Sequence, residues 1–369
     1  MLIKQPSVSV AIPVCNEANY IEQLVRDFLQ TSYPNLVEIL IADGDSTDET
    51  QSIVKRVSVE DSRVRLLNNP QQIQSAGLNI MLRESKGDIF LRLDAHSDYA
   101  PDYIEKCVEA LLKSNASNAG GAQRFVASSL FQSGVALASK SLLGSGGAKY
   151  RDPNYQGYAD TVYLGCFWKE CLLAVSGYST EGTTNEDAEL NQRLISKNTQ
   201  AIYIDPNIKS WYYPRKSLYL LFIQYFKYGM GRCNTSRKHP LKAQLRGLLP
   251  SLVISTAFLL LIIDLMFPAL GLPMKLVFGL GLLLPFLESL RVTLKFNQNF
   301  STEIWRGNPN KYPSLFSRWL CCGLSLLTMP FAHFAGYIYQ LGLIAKGQGD
   351  LQDRGIWNTT ITSGRKRAI

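Results

Sequence analysis

Three acidic clusters follow one another through the first half of the chain: Asp43-Gly44-Asp45-Ser46-Thr47-Asp48, then Asp94-Ala95-His96, then Glu186-Asp187. Carboxylates at the ends of short apolar strands suit three tasks: holding a divalent cation, binding a nucleotide, and taking a proton from a reacting hydroxyl. After Gly247 the chain turns as apolar as a membrane segment. Chemistry carried out at a membrane surface is the expectation.

The elements that must position these residues alternate. Val8 to Ile12 is a short apolar run that Pro13 should stop, as expected of a buried parallel strand. From Ala18 to Gln30 the apolar positions Ile21, Leu24, Val25 and Phe28 recur at helical spacing, and Tyr33-Pro34-Asn35 turns the chain. Val37 to Ala42 reads as a strand, Asp48 to Val57 as a helix and Ile89 to Leu93 as another central strand. This alternation predicts an α/β fold with a mostly parallel, Rossmann-like sheet. Ligands gather at the carboxyl ends of such strands, so Pro13 to Glu17, Asp43 to Asp48 and Asp94 to His96 are expected to share one crevice. Ala138 to Tyr158, rich in Gly, Ser and aromatic residues without a period, suits a mobile loop over a site. Thr161 to Phe167 returns to strand character, and Glu186 to Lys197 reads as a helix with Glu186 and Asp187 in its first turn, where the helix dipole alone also favours acids.

A formal charge of +8 admits nucleic acid as a partner, but the early motifs hold no zinc-finger spacing, RNP-like aromatic motif or basic helix. Lys and Arg collect instead beside the apolar runs, which points to an anionic membrane surface. The seven cysteines form no Cys-x-x-Cys pair and no zinc-type spacing with His, so reduced, separately buried thiols are expected. A Gly-x-Gly-x-x-Gly after the first strand is missing, which speaks against a dinucleotide-dependent dehydrogenase. The start of the chain lacks the features of a secretory signal, which favours a soluble half kept in the cytosol.

Leu218 to Phe226, followed by Lys227 and Arg232, reads as an amphipathic helix at the membrane interface. Gly247 to Phe267 and Pro273 to Leu290 read as spans, and Trp319 to Ala345, interrupted by Pro330, His333 and Gly336, as a third membrane-embedded segment. Asp264 lies near a span end, within reach of headgroups, and His333 reads as a packed histidine. Lys238, Lys242 and Arg246 before the first span, and Arg291, Lys295, Arg306, Lys311 and Arg318 between the second and third, place both loops and the N-terminal domain in the cytoplasm. The basic tail, with Lys346, Arg354 and Arg365 to Arg367, should lie there too, yet three crossings would export it. Either the Pro330 segment is a re-entrant hairpin or the charge rule fails for the tail. The expected division is a catalytic domain over 1–214, an interface helix and linker over 215–246, a membrane domain of two to four helical segments over 247–345, and a basic tail over 346–369.

Pro13-Val14-Cys15-Asn16-Glu17, Asp43 to Asp48 and Asn185-Glu186-Asp187, in this order and at these intervals, resemble glycosyltransferase family 2, the inverting transferases of GT-A fold. Asp94-Ala95-His96-Ser97, Gly144 to Arg151, Asp160 to Gly165 and Gln224-Tyr225-Phe226-Lys227-Tyr228-Gly229 narrow the likeness to membrane-attached bacterial transferases of exopolysaccharide assembly, of the succinoglycan-biosynthesis type. It covers nearly the whole chain.

The resemblance implies transfer of a sugar from a nucleotide-diphospho-sugar, a UDP-sugar, to a lipid-linked saccharide at the cytoplasmic membrane face, with Mn2+ or Mg2+ neutralising the departing diphosphate. Asp94 and His96 would hold the cation. Family members commonly carry a second carboxylate at the place of His96; imidazole suits manganese better than magnesium, and Asp98 is the alternative oxygen ligand. Pro13, Glu17 and Asp43 would line the uridine pocket, Asp43 accepting a hydrogen bond from the base, with Asp45 near the ribose or diphosphate. Asp187 would be the base that takes the acceptor proton, Glu186 would orient the acceptor, and Glu189 is the lesser candidate. Lys149 or Arg151 would touch phosphate. Gln224-x-x-Lys227-Tyr228 resembles a degraded Gln-x-x-Arg-Trp motif of processive polymerases, in which Lys keeps the charge but not the two-pronged hydrogen bonding of Arg.

Plainer readings stand beside these. Asp43 to Thr47 could be a turn with a helix cap, Asp94 a loop cap, and Glu186 to Glu189 a solvated helix start. Transfer to polyprenyl phosphate, processive synthesis and a non-catalytic membrane binding protein are the alternative functions.

Overall fold

The computed structural model describes residues 5–181, 186–238, 245–268, 271 and 273–347; Asn185, Lys242 and the tail beyond 347 lie outside these. In chain order the elements are β1 (Val8–Val14), α1 (Ile21–Leu29), β2 (Leu36–Asp43), α2 (Thr50–Glu60), β3 (Val64–Asn68), α3 (Gln74–Glu84), β4 (Ile89–Arg92), β5 (Ser97–Tyr99), α4 (Tyr103–Ser114) and β6 (Asn118–Phe125). There follow α5 (Leu130–Ser139), α6 (Leu142–Ser145), β7 (Gly157–Tyr158), β8 (Tyr163–Trp168), α7 (Lys169–Ala174), α8 (Glu186–Lys197) and β9 (Ile202–Tyr212). The remainder is helical: α9 (Leu218–Lys238), α10 (Leu245–Met266), α11 (Met274–Lys295) and α12 (Leu315–Ala345).

These elements sort into two compact units, one formed by residues up to 124 with 152–212 and the other by 125–151 with 213–347. The first holds a sheet in the order β3-β2-β1-β4-β8-β6-β9-β5, with β7 paired to β9. Strands β1 to β4 run parallel, as the strand–helix alternation predicts; β8 joins β4 antiparallel, and β5 and β7 join β9 antiparallel. Val8, Val10, Ile12, Ile39, Ile41, Ile89 and Leu91 are fully buried, and α1 packs Ile21, Leu24, Val25 and Phe28 into the same core. Each such side chain contributes roughly 1.5–3 kcal/mol of burial energy.

Pro13 does not end β1, contrary to the expectation from sequence; the strand continues to Val14 and stays paired with β2, Pro13 opposite Ala42. What Pro13 ends is the pairing with β4. Backbone groups alternate sides along a strand: Val14 accepts from the Gly44 N–H on the β2 side at 2.9 Å, and Ala11 accepts from the Leu93 N–H on the β4 side at 2.9 Å. Pro13 therefore turns its missing N–H toward β4, just past the last β1–β4 pair, Ala11 with Arg92. The carboxyl ends of β1 and β4 are left unzipped where the motifs begin.

The segment expected to be a mobile loop, Ala138 to Tyr158, is largely built into structure: up to Arg151, in the second unit, it contains the end of α5, all of α6 and a 3-10 turn at Lys149–Arg151, and beyond that, in the first unit, β7. The part of α5 that precedes it packs on α12 so closely that a Cβ on Gly134 would lie 2.4 Å from the Cys321 Cβ. That contact explains why 125–151 groups with the helical residues and not with the sheet, although its position in the chain put it inside 1–214. A single helix, α12, also replaces the interrupted segment with its re-entrant alternative and runs through Pro330 without a break. Among the described residues α11 and α12 are long and apolar enough to cross a membrane, and Leu252–Met266 of α10 is a shorter apolar stretch.

The helix expected at the interface, α9, packs along α12 through two glycines. A Cβ on Gly336 would sit 1.9 Å from the Phe226 carbonyl oxygen, and one on Gly229 would sit 2.0 Å from that of His333. Small residues allow this backbone approach. Gly336→Val is expected to cost about 1–3 kcal/mol through overpacking, read as a lower melting temperature in detergent; an unchanged melt would mean that the two helices do not meet there.

Candidate active site

The first part of the site is a knot between the loops that leave β1 and β2. Asn16, in the left-handed region at φ 58°, accepts at Oδ1 from the N–H groups of Thr47 at 2.8 Å and Asp48 at 3.3 Å, and its own N–H donates to Ser46 Oγ at 2.8 Å. Asp48 accepts from the Thr50 amide at 3.0 Å and hydroxyl at 2.5 Å and from the Ala18 amide at 3.2 Å. Burial raises the Asp48 carboxyl, but these donors outweigh it and hold it below the usual carboxylate range. The Glu17 N–H donates to Thr50 Oγ1 at 2.8 Å, which buries Glu17 against this knot.

Asp43 is a different case. Its Oδ2 accepts from the Ser46 N–H at 3.0 Å and from Gln51 Nε2 at 2.7 Å, whereas Oδ1 is buried without any hydrogen-bond partner. A buried acceptor without a donor is costly unless a ligand supplies one. Asp45, at φ 63° and exposed, accepts from Gln72 Nε2 at 3.1 Å. The turn-and-cap reading thus describes Ser46, Thr47 and Asp48, while Asp43 retains an open oxygen.

The second part lies past β4. The Tyr99 hydroxyl accepts from the Asp94 N–H at 2.8 Å and donates to the Asp94 carbonyl at 3.1 Å, fixing that loop from both sides. His96 Nδ1 stands 3.4 Å from Glu17 Oε1, so the Pro13–Glu17 and Asp94–His96 motifs meet. Ser97 bonds the Tyr163 hydroxyl at 2.9 Å. Asp98 falls between Ser97 and Tyr99 on β5 and is exposed.

At the centre is a residue that sequence reasoning passed over, Arg92. Its side chain is 4% exposed. One guanidinium nitrogen donates to Asp187 Oδ1, and the other lies 3.6 Å from Asp94 Oδ1 and 3.9 Å from Glu186 Oε1. Asp94 and Asp187, 93 positions apart by their numbering, therefore share one counter-charge. The available signal was a lone basic residue inside the apolar run Ile89 to Leu93. Glu189, the lesser base candidate, is engaged by Arg193 at 2.7 Å.

Burial raises the Glu186 carboxyl to about 7, with Asp187 and Asp94 adding to the rise and Arg92 opposing it. Asp187 is raised as well, again by burial first, with Arg92 opposing and Asp94 adding. An acid whose folded pKa is raised stabilises the fold fully below its unfolded value of 4.5 and loses that contribution as pH rises through about 7. The melting temperature of the solubilised protein is expected to fall across that window more steeply than that of Glu186→Gln, which cannot ionise. Parallel curves for the two proteins would contradict the shift.

Lys149, Arg151, Gln224 and Lys227 belong to the second unit. Arg151 lies over the Phe125 ring at 4.4 Å and the Tyr150 ring at 5.1 Å, and Gln224 donates to the Tyr228 hydroxyl at 2.9 Å. Among the described residues no three of His, Cys, Asp and Glu converge as a ready-made metal cage. The cysteines there are all free.

Residues 9–168 match the model of the family described as "Glycosyl transferase family 2". The succinoglycan biosynthesis protein ExoA of Rhizobium meliloti is 39% identical over 251 residues, 68% of this chain and 76% of that protein. A Methanococcus voltae enzyme named as a dolichyl N-acetyl-alpha-D-glucosaminyl phosphate 3-beta-D-2,3-diacetamido-2,3-dideoxy-beta-D-glucuronosyltransferase is 25% identical over 240 residues, 63% of this chain and 74% of its own length. Among solved structures, the mannosyltransferase PcManGT of Pyrobaculum calidifontis, in complex with GDP-Man and Mn2+, superimposes with a TM-score of 0.63 at 16% identity, covering 92% of this chain and 88% of that one.

Proposed function

The chain belongs to glycosyltransferase family 2 and is a glycosyltransferase of GT-A fold, and from that premise we propose that it is an inverting enzyme passing one sugar from a UDP-sugar to a lipid-linked saccharide. The observation that carries the reading is the pairing on Arg92 of Asp94, the proposed cation ligand, with Asp187, the proposed base.

Asp187 takes the proton of the acceptor hydroxyl as its oxygen attacks the anomeric carbon from the face opposite the diphosphate, and the nucleoside diphosphate departs. Glu186, 12% exposed at its side chain, orients the acceptor. Glu17, Pro13 and Asp43 line the nucleoside pocket; the open Asp43 Oδ1 suits the ring N–H of a uracil. Asp45 lies toward the ribose or diphosphate.

Asp94 and His96 would hold a divalent cation, Mn2+ or Mg2+, for which a full cage of protein ligands is not required when phosphate and water can complete the coordination. The cation would supply positive charge to the departing diphosphate.

The relative named for succinoglycan biosynthesis supports a role in exopolysaccharide assembly, and the relative named for a dolichyl-phosphate-linked sugar supports a lipid-linked acceptor. Two helices able to cross a membrane support attachment there, and the basic loops support a cytoplasmic catalytic unit. A polyprenyl tail cannot leave the bilayer, so anchoring the enzyme raises the effective acceptor concentration.

The test is incubation of membranes containing the chain with labelled UDP- and GDP-sugars, offering polyprenyl diphospho-saccharide or polyprenyl monophosphate. Label from a UDP-sugar on the saccharide is expected. Label on the monophosphate alone, or only from GDP-sugars, would replace the acceptor or the donor, and no transfer from any donor would overturn the proposal.

A further inference from the structure

Gln74 opens α3, an element that carries none of the acidic motifs, yet its side chain stands among them. One corner of its amide lies 2.9 Å from Arg92 Nη2 and 3.4 Å from Asp94 Oδ1, and the other lies 3.2 Å from Glu186 Oε1. The amide orientation that accepts from Arg92 and donates to Glu186 satisfies those two neighbours and leaves Asp94 to Arg92. Without it the second arm of Arg92 faces Asp94 at 3.6 Å and Glu186 at 3.9 Å with no hydrogen bond to either, and its Nε is already buried without a partner.

Building on the proposed transferase reading, we infer that Gln74 is a positioning residue for the proton transfer: by occupying the second arm of Arg92 and holding Glu186, its amide commits the first arm to Asp187 and fixes where that carboxylate points. An amide does this where a carboxylate or an ammonium cannot, because it accepts from the cation on one side and donates to the acid on the other. Gln74 itself moves no proton. Its effect is geometric, and misplacing a reacting group by about 1 Å costs on the order of 10²-fold in rate.

The experiment uses the full-length protein in membranes and compares Gln74→Met, which keeps length without hydrogen bonds, Gln74→Glu, which keeps the bond to Arg92 but repels Glu186, and wild type. Both variants are expected to lower kcat by roughly 10- to 100-fold, with the donor KM within about twofold of wild type, Gln74→Glu being the worse because it adds a fourth carboxylate to one guanidinium. Three results would overturn the inference: kcat unchanged in Gln74→Met, a raised donor KM at constant kcat, which would make Gln74 a donor contact, or a lower melting temperature with kcat intact, which would make it structural. If Asp187→Asn kept full transfer the reading of the site would fall first; if only Gln74→Met kept it, this inference alone would fall.

Discussion

Asp187→Asn is expected to lower transfer by about 10²–10⁴-fold, the usual contribution of a positioned general base, while leaving nucleotide binding and the melting temperature close to wild type. Asn has the shape of Asp and can still accept from Arg92, but it cannot carry away the acceptor proton. Arg92 is deeply buried, but Asp94 and Glu186 remain beside it, so losing the Asp187 charge does not leave the guanidinium uncompensated. Single-turnover transfer from labelled donor and calorimetric titration with UDP separate the two effects. Transfer at the wild-type rate would place the base elsewhere. Loss of nucleotide binding together with transfer would turn Asp187 into a ligand contact and remove the division of labour between it and Asp94.

Arg92→Met is the second large effect, and it acts on the fold. Arg92 is the cation shared by Asp94, Glu186 and Asp187, and Met fills the space of its stem without its charge. Removing one partner of a buried ion pair costs about 3–5 kcal/mol because the other is left uncompensated. Here three carboxylates are stranded, so the loss should be greatest near neutral pH and shrink toward pH 5 as the raised acids keep their protons. Melting curves in detergent at the two pH values measure this. Arg92→Lys is expected to recover part of the stability and less of the activity, since an ammonium is one point of charge and cannot reach two carboxylates as a planar fork does. Equal melting of Arg92→Met and wild type would show that the carboxylates find their compensation elsewhere.

Both predictions turn on groups of unequal legibility. The acidic motifs could be read because each stands at the end of an apolar run, and the burial of Val8, Ile39 and Ile89 follows from those runs alone. The helix carrying Glu186 and Asp187 ends where its spacing places it, at Lys197, and both acids are helical. Arg92 was obscured because a strand tolerates an isolated charge only through partners, and its partners arrive from α8, almost a hundred residues later. Gln74 was obscured for the same reason: no local pattern says that the first residue of α3 faces two other elements. Pro13 was misread since a proline ends a ladder on only one side of its strand, and sequence does not show which side is paired.

Amino-acid order by itself thus determined the strand–helix alternation, the acidic motifs at the strand ends, and the presence of long apolar helices, because each of these depends on periodicity and composition within a few turns of chain. Only the tertiary structure decided that Asp94 and Asp187 share one guanidinium, that Asp43 keeps an oxygen open while Asp48 does not, and that 125–151 packs with α12. Charge compensation and backbone approach act over ångströms between residues that the chain separates by tens of positions, so they exist only once the sheet and helices have closed.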